Sequence, residues 1–312
     1  MKRLFIIGNG FDLYHGLKTR FNDFRDYLKN NDLDSYEFIM SLFEEVCFFK
    51  SFEDWCHIED YLVYTNDIDY ESKLEEAISS SEDDIDRASY WHDIQYNADI
   101  YTQQFHDFLK SFDEWVEATN LQPNKKIESF FNDNDKFLTF NYTETLQRIY
   151  NIPEKNVLHI HGKLGTKKIF GHNEAISPPF KKKNITQEDY ENGEDYDWRI
   201  EEAEQILNKI PSLFCKNSQL IIERHKSFFD EIKYYDEIFF LGWALGKQDE
   251  VYMDNIISNI SQKTKIFIIS YTEDGHKTYK KHLNNIKNKN IIYDTWKFFF
   301  KKGRLIFYKK TT

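Results

Sequence analysis

Residues 4–12 read Leu-Phe-Ile-Ile-Gly-Asn-Gly-Phe-Asp, and the fold turns on how this stretch divides. Residues 4–7 are an unbroken apolar run closing on two isoleucines, the pattern of a strand buried on both faces of a parallel sheet. The run stops at Gly8-Asn9-Gly10. Two glycines let the chain turn sharply and leave main-chain N–H groups open where a Cβ would screen them from a ligand. Asp12 follows within reach of a sugar hydroxyl, and helical spacing begins at Phe21, Phe24 and Leu28. Strand, glycine turn and helix is the geometry that sets a phosphate or ribose at the carboxyl edge of a sheet. A full dinucleotide fingerprint carries a third glycine three residues after the second. Leu13 stands there, so the motif alone fits an ordinary turn equally well.

Working outward, the same alternation recurs. Phe137-Leu138-Thr139-Phe140 is a short buried strand ending at Asn141-Tyr142-Thr143-Glu144, with Thr143 placed to cap a helix carrying Leu146 and Ile149. Residues 157–160 form another strand, ending in His161-Gly162; His159 and His161 lie two apart, so on an extended strand they face the same way. Ile169-Phe170 before Gly171-His172-Asn173 reads as a further edge or hairpin. Residues 237–241 run into Gly242-Trp243-Ala244-Leu245-Gly246, residues 265–270 end at Ser270-Tyr271, and closing strands lie near 291–293 and 304–308. Helices are expected near 217–232, through Tyr252, Ile256 and Ile257, and from His276 to Ile286. Strands separated by helices of this length predict an α/β chain with a Rossmann-like, doubly wound parallel sheet. Residues 1–312 are expected to form one domain, with a mainly helical insertion at about 21–125 and a mobile loop at about 172–198. Phe38, Ile39, Leu42, Phe43 and Val46, and later Phe105, Phe108, Phe112 and Trp115, supply the helical period of the insertion.

Composition narrows the function. A hydrophobic fraction of 40% with 17% aromatics supports a ring-rich core. The net charge of −12 weighs against nucleic acid as a partner, and only Lys181-Lys182-Lys183 and Lys301-Lys302-Gly303-Arg304 point toward it. The acidic stretch Ser79–Asp84 reads as a solvated loop or helix cap. Cys47, Cys56 and Cys215 form no Cys-x-x-Cys pair, which argues against a zinc ribbon or a disulfide framework. Cys56, His57 and Glu59 are too close along the chain to converge on a metal and are read as packing residues. No apolar run approaches the ~20 residues of a membrane span, and no signal peptide precedes Leu4. A cytoplasmic protein with no membrane partner and no metal is expected.

Polar residues gather just after the strands, where open α/β sheets bind ligands. Four motifs in order, Ile-Ile-Gly-Asn-Gly-Phe-Asp-Leu-Tyr-His-Gly-Leu-Lys-Thr, Phe-Asn-Tyr-Thr, His-Ile-His-Gly and Leu-Gly-Trp-Ala-Leu-Gly-Lys-Gln-Asp, resemble the AbiH family, named for bacterial abortive infection, a defence against phage. That family is in turn similar to the sirtuin-like fold, whose members bind NAD. The resemblance implies that Gly8, Asn9, Gly10 and Asp12 cradle phosphate and ribose, and that Gly16-Leu17 begins a loop on the nicotinamide side. It implies that Asn141 faces the nicotinamide ribose, that His161 is the base, and that Gly242, Trp243 and Ser270 lie on the adenosine side. The zinc cysteines of sirtuins are absent, which argues against deacylation of a peptide, and no Pro-Asp-Phe-Arg follows Gly16. The activity so implied is a sirtuin-like NAD glycohydrolase acting in antiphage defence. Its rivals are a nucleotide sensor that binds NAD without turnover and an effector directed at nucleic acid. A defence role leaves room for a phage-derived trigger or partner protein and for a homo-oligomer.

Overall fold

The computed structural model describes residues 1–46, 54–82, 90–119, 131–176, 178–181, 198–273, 275–284 and 290–296. The chain divides into two compact units, one of residues 1–24, 113–169 and 217–312, the other of residues 25–112 and 170–216. The second unit holds most of the helical stretch expected as an insertion, while residues 177 and 182–197 of the expected mobile loop lie outside the described residues.

The first unit is built on six strands: β1 (Arg3–Ile7), β2 (Lys136–Thr139), β3 (Val157–His159), β4 (Glu237–Leu241), β5 (Lys265–Ser270) and β6 (Ile291–Thr295). Their order is β3-β2-β1-β4-β5-β6, and every pairing is parallel. The winding runs outward from β1 through β2 to β3, returns to β4 beside β1, and runs outward again. The carboxyl ends of β1 and β4 therefore mark the reversal, where such sheets bind ligands. The residues expected at 304–308 lie outside the described part.

Alternation sends side chains to both faces. Leu4, Ile6, Leu138, Phe240 and Ile268 pack on one face with Ile221, Phe229, Tyr252, Met253 and Tyr279 from the later helices. Phe5, Phe137, Phe239 and Phe267 occupy the other with Phe11, Leu146 and Trp296. The register sets those four phenylalanines side by side. Their rings stack in a row, with Phe5 5.2 Å from Phe137 and 4.7 Å from Phe239, and Phe239 4.4 Å from Phe267. Cross-strand aromatic pairs of this kind stabilise a sheet and resist a slip in register. Below them Arg3, at the start of β1, forms a buried ion pair with Asp135 before β2.

Several local expectations change. Helix begins at once after β1, over Asn9–Tyr14, ahead of the helix Phe21–Asn31. The expected helix near 217–232 is two, Ser218–Arg224 and Lys226–Asp230. Ile169-Phe170 forms no named strand; instead His172 makes an isolated bridge to Cys215 within the second unit.

The second unit holds the helices Leu33–Val46, Tyr70–Glu82 and Trp198–Leu207. Residues 79–82 of the acidic stretch end a helix, and 83–84 lie outside the described residues. Phe112 stacks on Phe170 at 4.3 Å. Glu59 pairs with the buried Lys216 at 2.8 Å, while Cys56 and His57 are exposed. Among the described residues no group of three or more His, Cys, Asp or Glu side chains could hold a metal, and no helix is long and apolar enough to cross a membrane.

Candidate functional site

The rim of the first unit begins with glycine. A Cβ on Gly8 would lie 2.3 Å from Trp243 Cα, and one on Gly10 2.8 Å from Gly242 Cα. Gly242 has φ +65°, and its own Cβ would meet Gly10 C and Phe11 N at 2.6 Å. The turns after β1 and β4 thus pack main chain against main chain at the reversal, which only glycine permits. The Gly8 N–H donates to Leu241 O at 3.1 Å and the Gly10 N–H to Gly242 O at 2.7 Å. These two groups, read from sequence as open to a ligand, instead bond the two turns together. Asn9 fastens the following loop: its Nδ2 donates to Thr19 O at 2.8 Å, and its Oδ1 accepts from the Thr19 hydroxyl. Gly16, at φ +81°, ends the short helix. Its N–H donates to Leu13 O at 3.1 Å and the Leu17 N–H to Asp12 O at 3.1 Å, the paired bonds of a glycine helix stop.

Asp12 lies on this helix with 1% of its surface exposed. Its Oδ1 accepts from the Thr145 hydroxyl at 2.7 Å and its Oδ2 from the Thr143 hydroxyl at 2.5 Å. Burial pushes the carboxyl up to about 6, against the lowering effect of Thr143, Thr145 and Asn141. Thr143 is therefore not the helix cap expected from sequence. The helix Thr145–Tyr150 has Glu144 at its N-cap with no side-chain cap bond, because a desolvated carboxylate takes both hydroxyls.

Asn141 is held through both main chain and side chain, and its side chain also meets the Asp12 carboxylate. Its N–H donates to Thr139 Oγ1 at 3.1 Å, its Nδ2 donates to Gly8 O at 3.1 Å, and its carbonyl accepts from His159 Nδ1 at 3.1 Å. A carbonyl can only accept, so the side-chain orientation and the proton on His159 Nδ1 both follow. His159 Nε2 then accepts from Gln147 Nε2 at 2.9 Å. Burial lowers the pKa of His159, with the Asn141 carbonyl and Glu154 opposing. Among the described residues no donor meets Asn141 Oδ1, which leaves it as an acceptor for something else.

His161 leaves the strand on the other side. Its Nε2 is 3.2 Å from Tyr252 OH, and its ring packs edge-on to Phe140 at 5.4 Å. His159 reaches toward the face carrying Leu146, and His161 toward the face carrying Tyr252. The expectation that they face the same way fails because β3 ends at His159 and the chain turns at 160–162. Phe140 links the cluster further, stacking on Trp243 at 4.3 Å. Trp243 is buried, donates from Nε1 to Asp249 at 3.0 Å, and accepts from Tyr279 OH through its carbonyl at 2.6 Å. Ser270, at the end of β5, donates to Thr272 O at 2.5 Å.

The structure thus brings together Gly8, Gly10, Asp12, Asn141, His161, Gly242 and Trp243, while the described bond of the Ser270 hydroxyl goes to Thr272 O beyond β5. Sequence reasoning missed Thr145, Tyr252 and the anchoring role of His159. The Thr-x-Thr spacing at 143–145 was the one signal that two hydroxyls share a target; nothing local marked Tyr252.

The family model described as "Bacteriophage abortive infection AbiH" matches residues 4–271, from β1 to the end of β5. No curated protein and no solved structure matches the chain.

Proposed function

We propose that this chain, which belongs to the AbiH family of bacteriophage abortive infection proteins, acts in that defence by hydrolysing NAD at the nicotinamide–ribose bond. The observation that carries the proposal is the joining of four strand ends at the reversal. Asn141 Nδ2 binds Gly8 O at 3.1 Å, Phe140 stacks on Trp243 at 4.3 Å, and the His161 ring lies 5.4 Å from Phe140. Its support is the strand order β3-β2-β1-β4-β5-β6, the order of Rossmann-like dinucleotide-binding sheets, together with the sirtuin-like order of the motifs.

The residues fit the substrate at one clear point. Asn141 is fixed by its bonds to Thr139, Gly8 and His159 and its contact with Asp12, and offers Oδ1 as an uncharged acceptor for a ribose hydroxyl or the attacking water. His161 accepts a proton as hydroxyl or water attacks, a task suited to imidazole near neutral pH. Positive charge develops on the ribose as the bond breaks, and holding the reacting groups in place lowers the cost of reaching that state. Gly8, Asn9 and Gly10 lie on the phosphate and ribose side, Gly16 on the nicotinamide side, and Gly242, Trp243 and Ser270 on the adenosine side. The missing zinc cysteines of sirtuins weigh against a peptide substrate and leave a small nucleotide as the better fit.

A second reading, a sensor that binds NAD without turnover, is favoured by the burial of His161 and the bonding of its Nε2 to Tyr252. The two are separated by measuring NAD and nicotinamide in phage-infected cells that carry the wild type, Asn141→Ala or His161→Ala. Hydrolysis predicts that NAD falls and nicotinamide rises on infection with the wild type only. Protection from phage with NAD unchanged would overturn it.

A further inference from the structure

We infer that Asp12 is a positioning residue: it holds the 141–145 turn through two hydroxyls and so fixes Asn141, rather than touching a ligand itself. The catalytic consequence rests on the NAD-hydrolysis proposal above; the mechanical one does not. Both carboxylate oxygens already accept, from Thr145 at 2.7 Å and Thr143 at 2.5 Å, and the side chain is buried. The helix that carries Asp12 is itself clamped. The Gly10 N–H bonds Gly242 O at 2.7 Å near its start, and the Gly16 and Leu17 N–H groups close its end. Asp12 therefore transmits a fixed position. On the far side of the turn, Thr139 Oγ1 and His159 Nδ1 hold the main chain of Asn141, and Gly8 O holds its amide. A core that needed only stability would replace a buried carboxylate and two hydroxyls with apolar groups at little or no loss. An ionised carboxylate accepts from both threonines at once, whereas Asn must donate to one of them, reversing that hydroxyl.

The test uses Thr143→Val and Thr145→Val, which keep shape and remove a donor, with Thr143→Ser and Thr145→Ser as rescues. In the protein activated for NAD hydrolysis, each Val variant is expected to lose about tenfold to a hundredfold in kcat, with KM within about twofold. The Ser variants should stay near wild type. A rise in KM with kcat unchanged would overturn the inference, because Asp12 and its threonines would then be part of ligand binding. Hydrogen exchange of the 141–145 amides is read on the same proteins. Faster exchange confined to that turn in the Val variants supports the inference, and unchanged exchange overturns it. Absence of nicotinamide release from wild type defeats the NAD proposal alone and leaves the exchange result to decide this one.

Discussion

Replacing Asp12 by Asn should change the pH dependence of stability in a way few other substitutions can. The folded protein holds this carboxyl at about 6 against an ordinary 3.8, because burial disfavours the charged form more than Thr143, Thr145 and Asn141 favour it. A folded value above the unfolded one means the unfolded chain gives up its proton first as pH rises. The stability associated with the protonated group is complete below 3.8, is lost progressively up to about 6, and is constant above that. At 1.36 kcal/mol per unit the full loss is about 3 kcal/mol, of which about 2 kcal/mol falls between pH 4.5 and 7.5. Asn cannot ionise, so whatever it costs in packing is the same at every pH. Urea unfolding of both proteins in steps across that range should therefore show wild type losing about 2 kcal/mol relative to the variant as pH rises. A difference that stays level, or that moves the opposite way, would refute the buried, raised carboxyl.

Three further substitutions probe the frame around the site. Gly242→Ala combines a φ of +65° with a Cβ 2.6 Å from the Gly10 main chain, so it should cost about 3 kcal/mol or more in chemical denaturation. Asp135→Ala removes the carboxylate that pairs with the buried Arg3 guanidinium and should cost about 3 kcal/mol, with no recovery at high salt. His172 is fully buried, and among the described residues neither ring nitrogen has a partner at good hydrogen-bonding geometry; burial lowers its pKa, outweighing the Glu174 carboxylate and a weak bond to the Glu174 main chain. His172→Leu is therefore expected to raise the melting temperature, by about 1 kcal/mol of added stability.

The sheet was legible because its strands are short apolar runs bounded by glycine or polar turns. Residues 237–241 and 265–270 were read to the residue. Parallel strands buried on both faces leave that signature in any context. The short helix Asn9–Tyr14 was not legible, since six residues hold too little period to register and its stop signal, Gly16, was assigned to ligand contact. The glycines themselves were located correctly, but their local sequence could not reveal that each faces another turn across the β1–β4 junction. Such contacts lie more than 200 positions apart. Thr143 likewise carried a plausible local role as a cap, and a distant carboxylate claimed its hydroxyl instead. The two histidines were misjudged together because the two-residue period was carried past the end of β3.

The most direct test of the account is calorimetric titration of NAD into the purified wild type and the Asn141→Ala variant, both checked for equal melting temperature. A rim organised around Asn141 Oδ1 predicts saturable binding to the wild type and an affinity at least about tenfold weaker in the variant. No saturable heat from the wild type, or the same affinity in both proteins, would contradict it.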